Sequence, residues 1–221
     1  MLPSFGRGLG VNKKQLAIQL LSEIEKLYPE AVTELSNWST PFQFLICILL
    51  SAQTTDKQVN KVTKKLFDKY PDAESLSKAN VREVEDTLGG INYFKTKSKH
   101  VIETAEILHK QYEGEPPRDL GKLMKLPGVG YKTANVFLND LFNENQGIAV
   151  DTHVMRVAKA YGLSEGSDPT KVAHDLESLY PKEDWHKINS TFVLYGRYIL
   201  KARKPDWDKV VLKEMLVPDL M

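Results

Sequence analysis

Leu126-Pro127-Gly128-Val129-Gly130 joins two stretches of helical pattern, Leu120 to Lys125 and Tyr131 to Phe142. Pro127 ends the first helix, because proline has no N–H to give to the preceding turn. Two glycines two apart allow positive φ and the close approach of another backbone. The second helix then begins with its first N–H groups directed outward. Unpaired amides and the helix dipole both favour an anion there, so the turn suits a phosphate on any nucleic-acid sequence. The competing reading is a tight helix–helix turn with no ligand.

Outward from this hairpin the chain is helical almost throughout. Leu16, Leu20, Ile24 and Leu27 fall on one side of a helix from Lys13 to Tyr28, stopped by Pro29. Pro41 opens a second helix to about Ala52, which contains the longest apolar run, Phe44 to Leu50. Thr55-Asp56-Lys57-Gln58 has capping-box spacing and starts a third, to Tyr70. Shorter helices are predicted over 73–79 and 81–88, a break at Gly89-Gly90, and a long helix over 96–112. After the hairpin, helices are predicted over 151–161, 169–180 and 188–203. With no alternating run long enough to demand a sheet, the pattern predicts an all-α protein in two lobes.

The chain has 221 residues, 42% of them apolar, which supplies a substantial core and excludes wholesale disorder. Thirty basic residues balance 29 acidic ones. Local charge is less even. Residues 121–139 hold Lys122, Lys125 and Lys132 and no acid, and residues 196–204 hold Arg197, Lys201, Arg203 and Lys204 and no acid. Basic segments flanking a phosphate-ready turn point to a nucleic-acid surface. A lone cysteine, Cys47, cannot form an internal disulfide or a four-cysteine iron–sulfur cluster. Within its apolar run it reads as a small buried hydrophobe. No stretch has the length and apolarity of a membrane span or a signal peptide, so a cytoplasmic, nucleoid-associated protein is expected if the source is prokaryotic.

Leu126-Pro-Gly-Val-Gly-Tyr-Lys-Thr-Ala-Asn135 and Val150-Asp-Thr-His-Val-Met-Arg156 resemble the endonuclease III family of DNA glycosylases, in the helix-hairpin-helix superfamily. Leu50-Ser-Ala-Gln-Thr-Thr-Asp56, Gly196-Arg-Tyr198 and Ala202-Arg-Lys-Pro205 extend the resemblance over about residues 13–205. It implies a two-lobed helical fold with duplex DNA, damaged or abasic, bound in a cleft between lobes. One lobe would be a six-helix barrel at 34–144 with its hairpin at about 120–142. The other would join 1–33 to 145–221. It implies excision of oxidised pyrimidines such as thymine glycol, followed by β-elimination at the abasic site, by a monomer. Lys132 would be the catalytic lysine and Asp151 the catalytic aspartate, with His153 behind them. DNA contacts are implied at Gln53, Tyr93, Leu126, Gly128, Val129, Gly130, Thr133, Arg156, Arg197 and Lys204, with Gln53 and Tyr93 as wedges.

Elementary chemistry leaves both catalytic positions open. Lys132 is in the first helical turn, where the dipole disfavours a cation, and partial burial would favour the neutral amine that attacks carbon. A helical wheel puts Ala134, Phe137, Leu138 and Leu141 on the core face, with Lys132, Asn135, Val136 and Asn139 opposite. That direction suits a site wall or open solvent. Asp151 suits a helix N-cap as well as a carboxylate that stabilises developing positive charge.

One departure from the family stands out. Leu200 and Trp207 occupy the positions of the first two cluster cysteines, so no cluster and no metal is expected. The apolar residues of 206–221 are expected to pack in its place. Related hairpins leave open a monovalent cation on the hairpin carbonyls. Two other readings remain: a mismatch or oxidised-purine glycosylase, and a non-catalytic helix-hairpin-helix DNA-binding protein.

Overall fold

The computed structural model describes residues 12–29 and 33–218. Its helices, in chain order, are α1 (Lys13–Leu27), α2 (Pro41–Ser51), α3 (Asp56–Lys69), α4 (Ala73–Ser77), α5 (Val81–Leu88), α6 (Phe94–Gln111), α7 (Leu120–Leu123), α8 (Tyr131–Phe142), α9 (Thr152–Ala160), α10 (Pro169–Leu179) and α11 (Trp185–Tyr198). Among the described residues there is no strand. No helix there is long and apolar enough to cross a membrane. The chain divides into two compact units, a central one, Thr33–Phe142, and a terminal one made of Met1–Val32 and Asn143–Met221.

The central unit carries α2 to α8 and is organised around α2. Thr40 caps this helix by accepting from Gln43 N, and Pro41 supplies a preset φ at its first position. Phe42 to Leu50 are all buried, so α2 shows no polar face. It is instead enclosed by α3, α6 and α8. Phe44 packs on Trp38 and Phe137, with ring centroids 4.6 and 6.2 Å away. Cys47 lies within this helix, fully buried, and burial pushes its thiol up to about 12. It is a packing residue.

The terminal unit packs α9 against α10 and α11, with α1 across α10 and α11. Gly196 sets the close approach of α9 to α11, because a Cβ there would lie 3.1 Å from both Cβ and O of His153. Helix α11 ends at Tyr198, five residues short of the expected 203. Leu200 N turns back to Tyr195 O at 2.8 Å, and Arg156 of α9 donates to the carbonyls of Gly196 and Leu200. A guanidinium from another helix thus satisfies carbonyls that a further turn would have used.

The segment after α11 is bonded onto this unit through two tyrosines. Tyr161 OH donates to Val211 O at 2.6 Å and accepts from Tyr195 OH at 2.8 Å, and Val211 N donates to Tyr195 OH at 3.1 Å. Val217 N adds a bond to Ala160 O. Val210 and Leu216 are buried. The expectation of apolar packing along this segment holds for those two residues and fails for Trp207, which is 41% exposed. Residues 219–221 lie outside the described range.

Candidate active site

In the hairpin, Asp119 caps α7, accepting from Lys122 N at 2.7 Å, and α7 closes after one turn. Leu126 N then bonds Leu123 O, and Val129 N bonds Leu126 O. Gly128 has φ +75, a region where a Cβ is strained. Gly130 does not use the positive φ open to a glycine, and a Cβ on it would meet nothing within 4 Å. Gly130 immediately precedes α8 and has no side chain with which to cap it. The turn is therefore open on that side. Leu126 and Val129 are both buried. Their side chains anchor the turn in the core, so any contact they make with a ligand is through backbone.

Lys132 is exposed in the first turn of α8, in keeping with the outward direction given by its helical wheel. Thr133 beside it is half-buried. Asn135 and Asn139, placed with Lys132 by the wheel, are buried instead. Helix α8 packs on α2 and on α7, so it is covered on two sides. The buried Asn135 donates to Tyr131 O at 3.0 Å. Farther along α8, burial pushes the Asp140 carboxyl up to about 7, and the Lys132 charge acts in the opposite sense.

Gln53 and Tyr93, also in the central unit, are both exposed and both left-handed, with φ 53 and φ 57. Left-handed backbone is uncommon without glycine and is strained in a bulky residue. Tyr93 is 64% exposed, so it does not pack between helices. The residue between Tyr93 and Ile91, Asn92, donates to Gln53 O at 2.7 Å. Sequence reading missed Asn92, and it missed Lys97, whose Nζ bonds the chain on both sides of Gln53. Neither sits in a recognisable local motif.

In the terminal unit, Asp151 is the N-cap of α9. Its Oδ1 accepts from His153 N at 2.8 Å and Val154 N at 2.9 Å. His153 Nδ1 lies 2.9 Å from Arg156 Nη2. Arginine stays charged and can only donate, so Nδ1 accepts and the imidazole is neutral. Burial, which holds His153 below the ordinary imidazole value, agrees. The resemblance implies a DNA contact at Arg156. Its Nε and Nη2 are instead turned inward to Leu200 O, Gly196 O and His153, so it braces α9 against α11. Arg197 is half-buried, and Lys201, Arg203 and Lys204 are exposed. Lys204 is also left-handed, with φ 55.

The residues present do not fit a four-cysteine cluster in the terminal unit. Leu200 is a buried leucine with no metal-donor atom in its side chain, and the sole cysteine of the chain lies in α2 of the central unit.

The chain matches the model of the HhH-GPD superfamily of base excision DNA repair proteins over residues 46–182. It is 39% identical over 194 residues to endonuclease III of Synechocystis sp., covering 88% of each chain. It is 36% identical over 202 residues to endonuclease III of Escherichia coli, covering 91% of this chain and 95% of that one. Among solved structures, a trapped covalent intermediate between an endonuclease III and DNA superposes with a TM-score of 0.86 at 38% identity, covering 93% of this chain and 96% of that one. A thermostable thymine-DNA glycosylase shares the fold, with a TM-score of 0.80 at 22% identity over 92% and 95% of the two chains. With its glycine hairpin ahead of α8 and its agreement over nearly full length, the chain belongs to the HhH-GPD superfamily of base excision DNA repair proteins.

Proposed function

We propose that the protein is a bifunctional DNA glycosylase and abasic-site lyase that excises oxidised pyrimidines such as thymine glycol from duplex DNA. One observation carries this reading. Lys132 stands exposed in the first turn of α8, directly after an open glycine hairpin, in a chain 38% identical to an endonuclease III trapped covalently on DNA.

In this reading the hairpin backbone at Gly128 to Thr133 takes a phosphate, helped by Lys122 and Lys125, which are both exposed. The damaged nucleotide leaves the stack, because its sugar carbon is out of reach within the duplex. Gln53 and Tyr93 fill the gap it leaves. The neutral Lys132 amine attacks C1′, the C1′–N bond breaks, and the base departs with a proton. The attached sugar opens to a Schiff base, loss of a C2′ proton expels the 3′ phosphate, and the strand is cut. Asp151 supports the positive charge on the sugar and relays protons to and from the amine. The protein acts as a monomer on duplex DNA, in the cytoplasm if the source is prokaryotic.

The reading is tested by borohydride trapping on a thymine glycol duplex and, in parallel, an abasic duplex. Wild type is expected to give a covalent adduct on both, and Lys132→Ala on neither. An adduct that persists in Lys132→Ala would move the nucleophile elsewhere. Binding without trapping or cutting on either duplex would leave a DNA-binding module.

A further inference from the structure

Lys97 is a buried lysine whose hydrogen-bond partners include no carboxylate. It is 5% exposed, and its Nζ donates to Leu50 O at 2.8 Å, Ala52 O at 2.7 Å and Thr54 Oγ1 at 2.8 Å. All three ammonium protons are thereby used. Burying a cation without an anion is costly. Part of the compensation is the negative end of α2, whose last carbonyls the ammonium caps. Burial nonetheless pulls the Lys97 ammonium below its ordinary value.

A helix end can be capped more cheaply, by one glycine in the left-handed conformation. Here the chain has Gln53 in that conformation instead, with its side chain exposed. Lys97 grips the backbone before Gln53, at Ala52, and the side chain after it, at Thr54. From the other direction Lys97 belongs to the first turn of α6, where its N–H bonds Tyr93 O at 3.0 Å. Asn92 closes the loop by donating to Gln53 O. Two exposed, left-handed, non-glycine residues are thus tied to each other through one buried cation and one amide. Capping alone would not require either exposed side chain to be held so firmly.

We propose that Lys97 is a positioning residue that, together with Asn92, holds Gln53 and Tyr93 as one rigid edge for insertion into the DNA stack. This rests on the gap-filling role given to those two residues above. A pre-set edge enters the duplex without ordering two loops at the moment of base extrusion, which is where flexible loops would lose rate.

The test uses the full chain and two substrates. One is a thymine glycol duplex carrying 2-aminopurine opposite the lesion. The other is a single-stranded oligonucleotide with an abasic site, which has no base to extrude and no stack to fill. For Lys97→Met, the single-turnover rate on the duplex is expected to fall on the order of 10–100-fold, with the 2-aminopurine signal blunted, while single-strand cleavage stays within about twofold. Asn92→Ala, which removes only the tie to Gln53, is expected to show the same split more weakly. It keeps the proposal testable if Lys97→Met does not fold. Equal loss on both substrates in both variants, or no loss on the duplex, would overturn it. A Gln53→Ala/Tyr93→Ala double variant separates the two levels. If it cuts the duplex at the wild-type rate, the gap-filling reading fails; if it is impaired while Lys97→Met and Asn92→Ala are not, only the positioning role fails.

Discussion

Gly128 lies so close to His100 that a Cβ on it would stand 2.6 Å from His100 Nδ1 and 3.1 Å from Leu49 Cδ2. Gly130, two residues on, has open space where its Cβ would be. The two glycines of one turn therefore answer different demands. Gly128→Ala adds a clash to a left-handed strain and is expected to cost about 1–3 kcal/mol of stability, read as a lowered Tm. Gly130→Ala is expected to leave Tm almost unchanged and to weaken binding to abasic duplex, read by fluorescence anisotropy. The opposite pattern would mean that the open side of the hairpin does not meet DNA.

Asp151 combines a structural duty with a proposed chemical one, and two substitutions separate them. Asparagine caps a helix about as well as aspartate, so Asp151→Asn should keep stability within about 0.5 kcal/mol, whereas Asp151→Ala should lose about 1 kcal/mol. Single-turnover excision of thymine glycol should fall in both, by on the order of 100-fold, because both lose the carboxylate. Full activity in Asp151→Asn would reduce Asp151 to a cap.

Asp140 makes stability depend on pH in the direction opposite to that of a salt-bridged carboxylate. Its folded carboxyl holds a proton up to about 7, against an ordinary value of 3.8. Between those values the native state binds more protons than the unfolded one, so stability falls as pH rises through that window and levels off above it. The loss should be on the order of 2 kcal/mol, allowing for partial solvent access. Asp140→Asn should flatten the profile and be the more stable protein at pH 8. Urea unfolding across this range reads both effects, and parallel curves for the two proteins would remove Asp140 as the cause.

Much of this was legible from local signals. Helix α8 spans Tyr131–Phe142, as its apolar spacing and the preceding glycine predicted, and Ala134, Phe137 and Leu138 are buried. Thr55 caps α3 and Asp151 caps α9. The start of α6 was missed by two residues because Tyr93, the left-handed residue at its N-cap, makes no side-chain cap. The wheel for α8 misplaced Asn135 and Asn139, since a wheel assigns one buried face and this helix has two neighbours.

The sequence alone determined the helices, the hairpin and the absence of a four-cysteine donor set. Caps, prolines and glycines act within three or four residues of themselves, and a cysteine count needs no coordinates. Tertiary structure decided what the charged and polar side chains do. Lys97 meets Leu50 O across 47 positions, Arg156 meets Leu200 O across 44, and Tyr161 meets Val211 O across 50. A buried cation or hydroxyl must find an acceptor, but which acceptor depends on which segments packing brings alongside it. That is why the bracing of α9 against α11 by Arg156 could not be read from its motif.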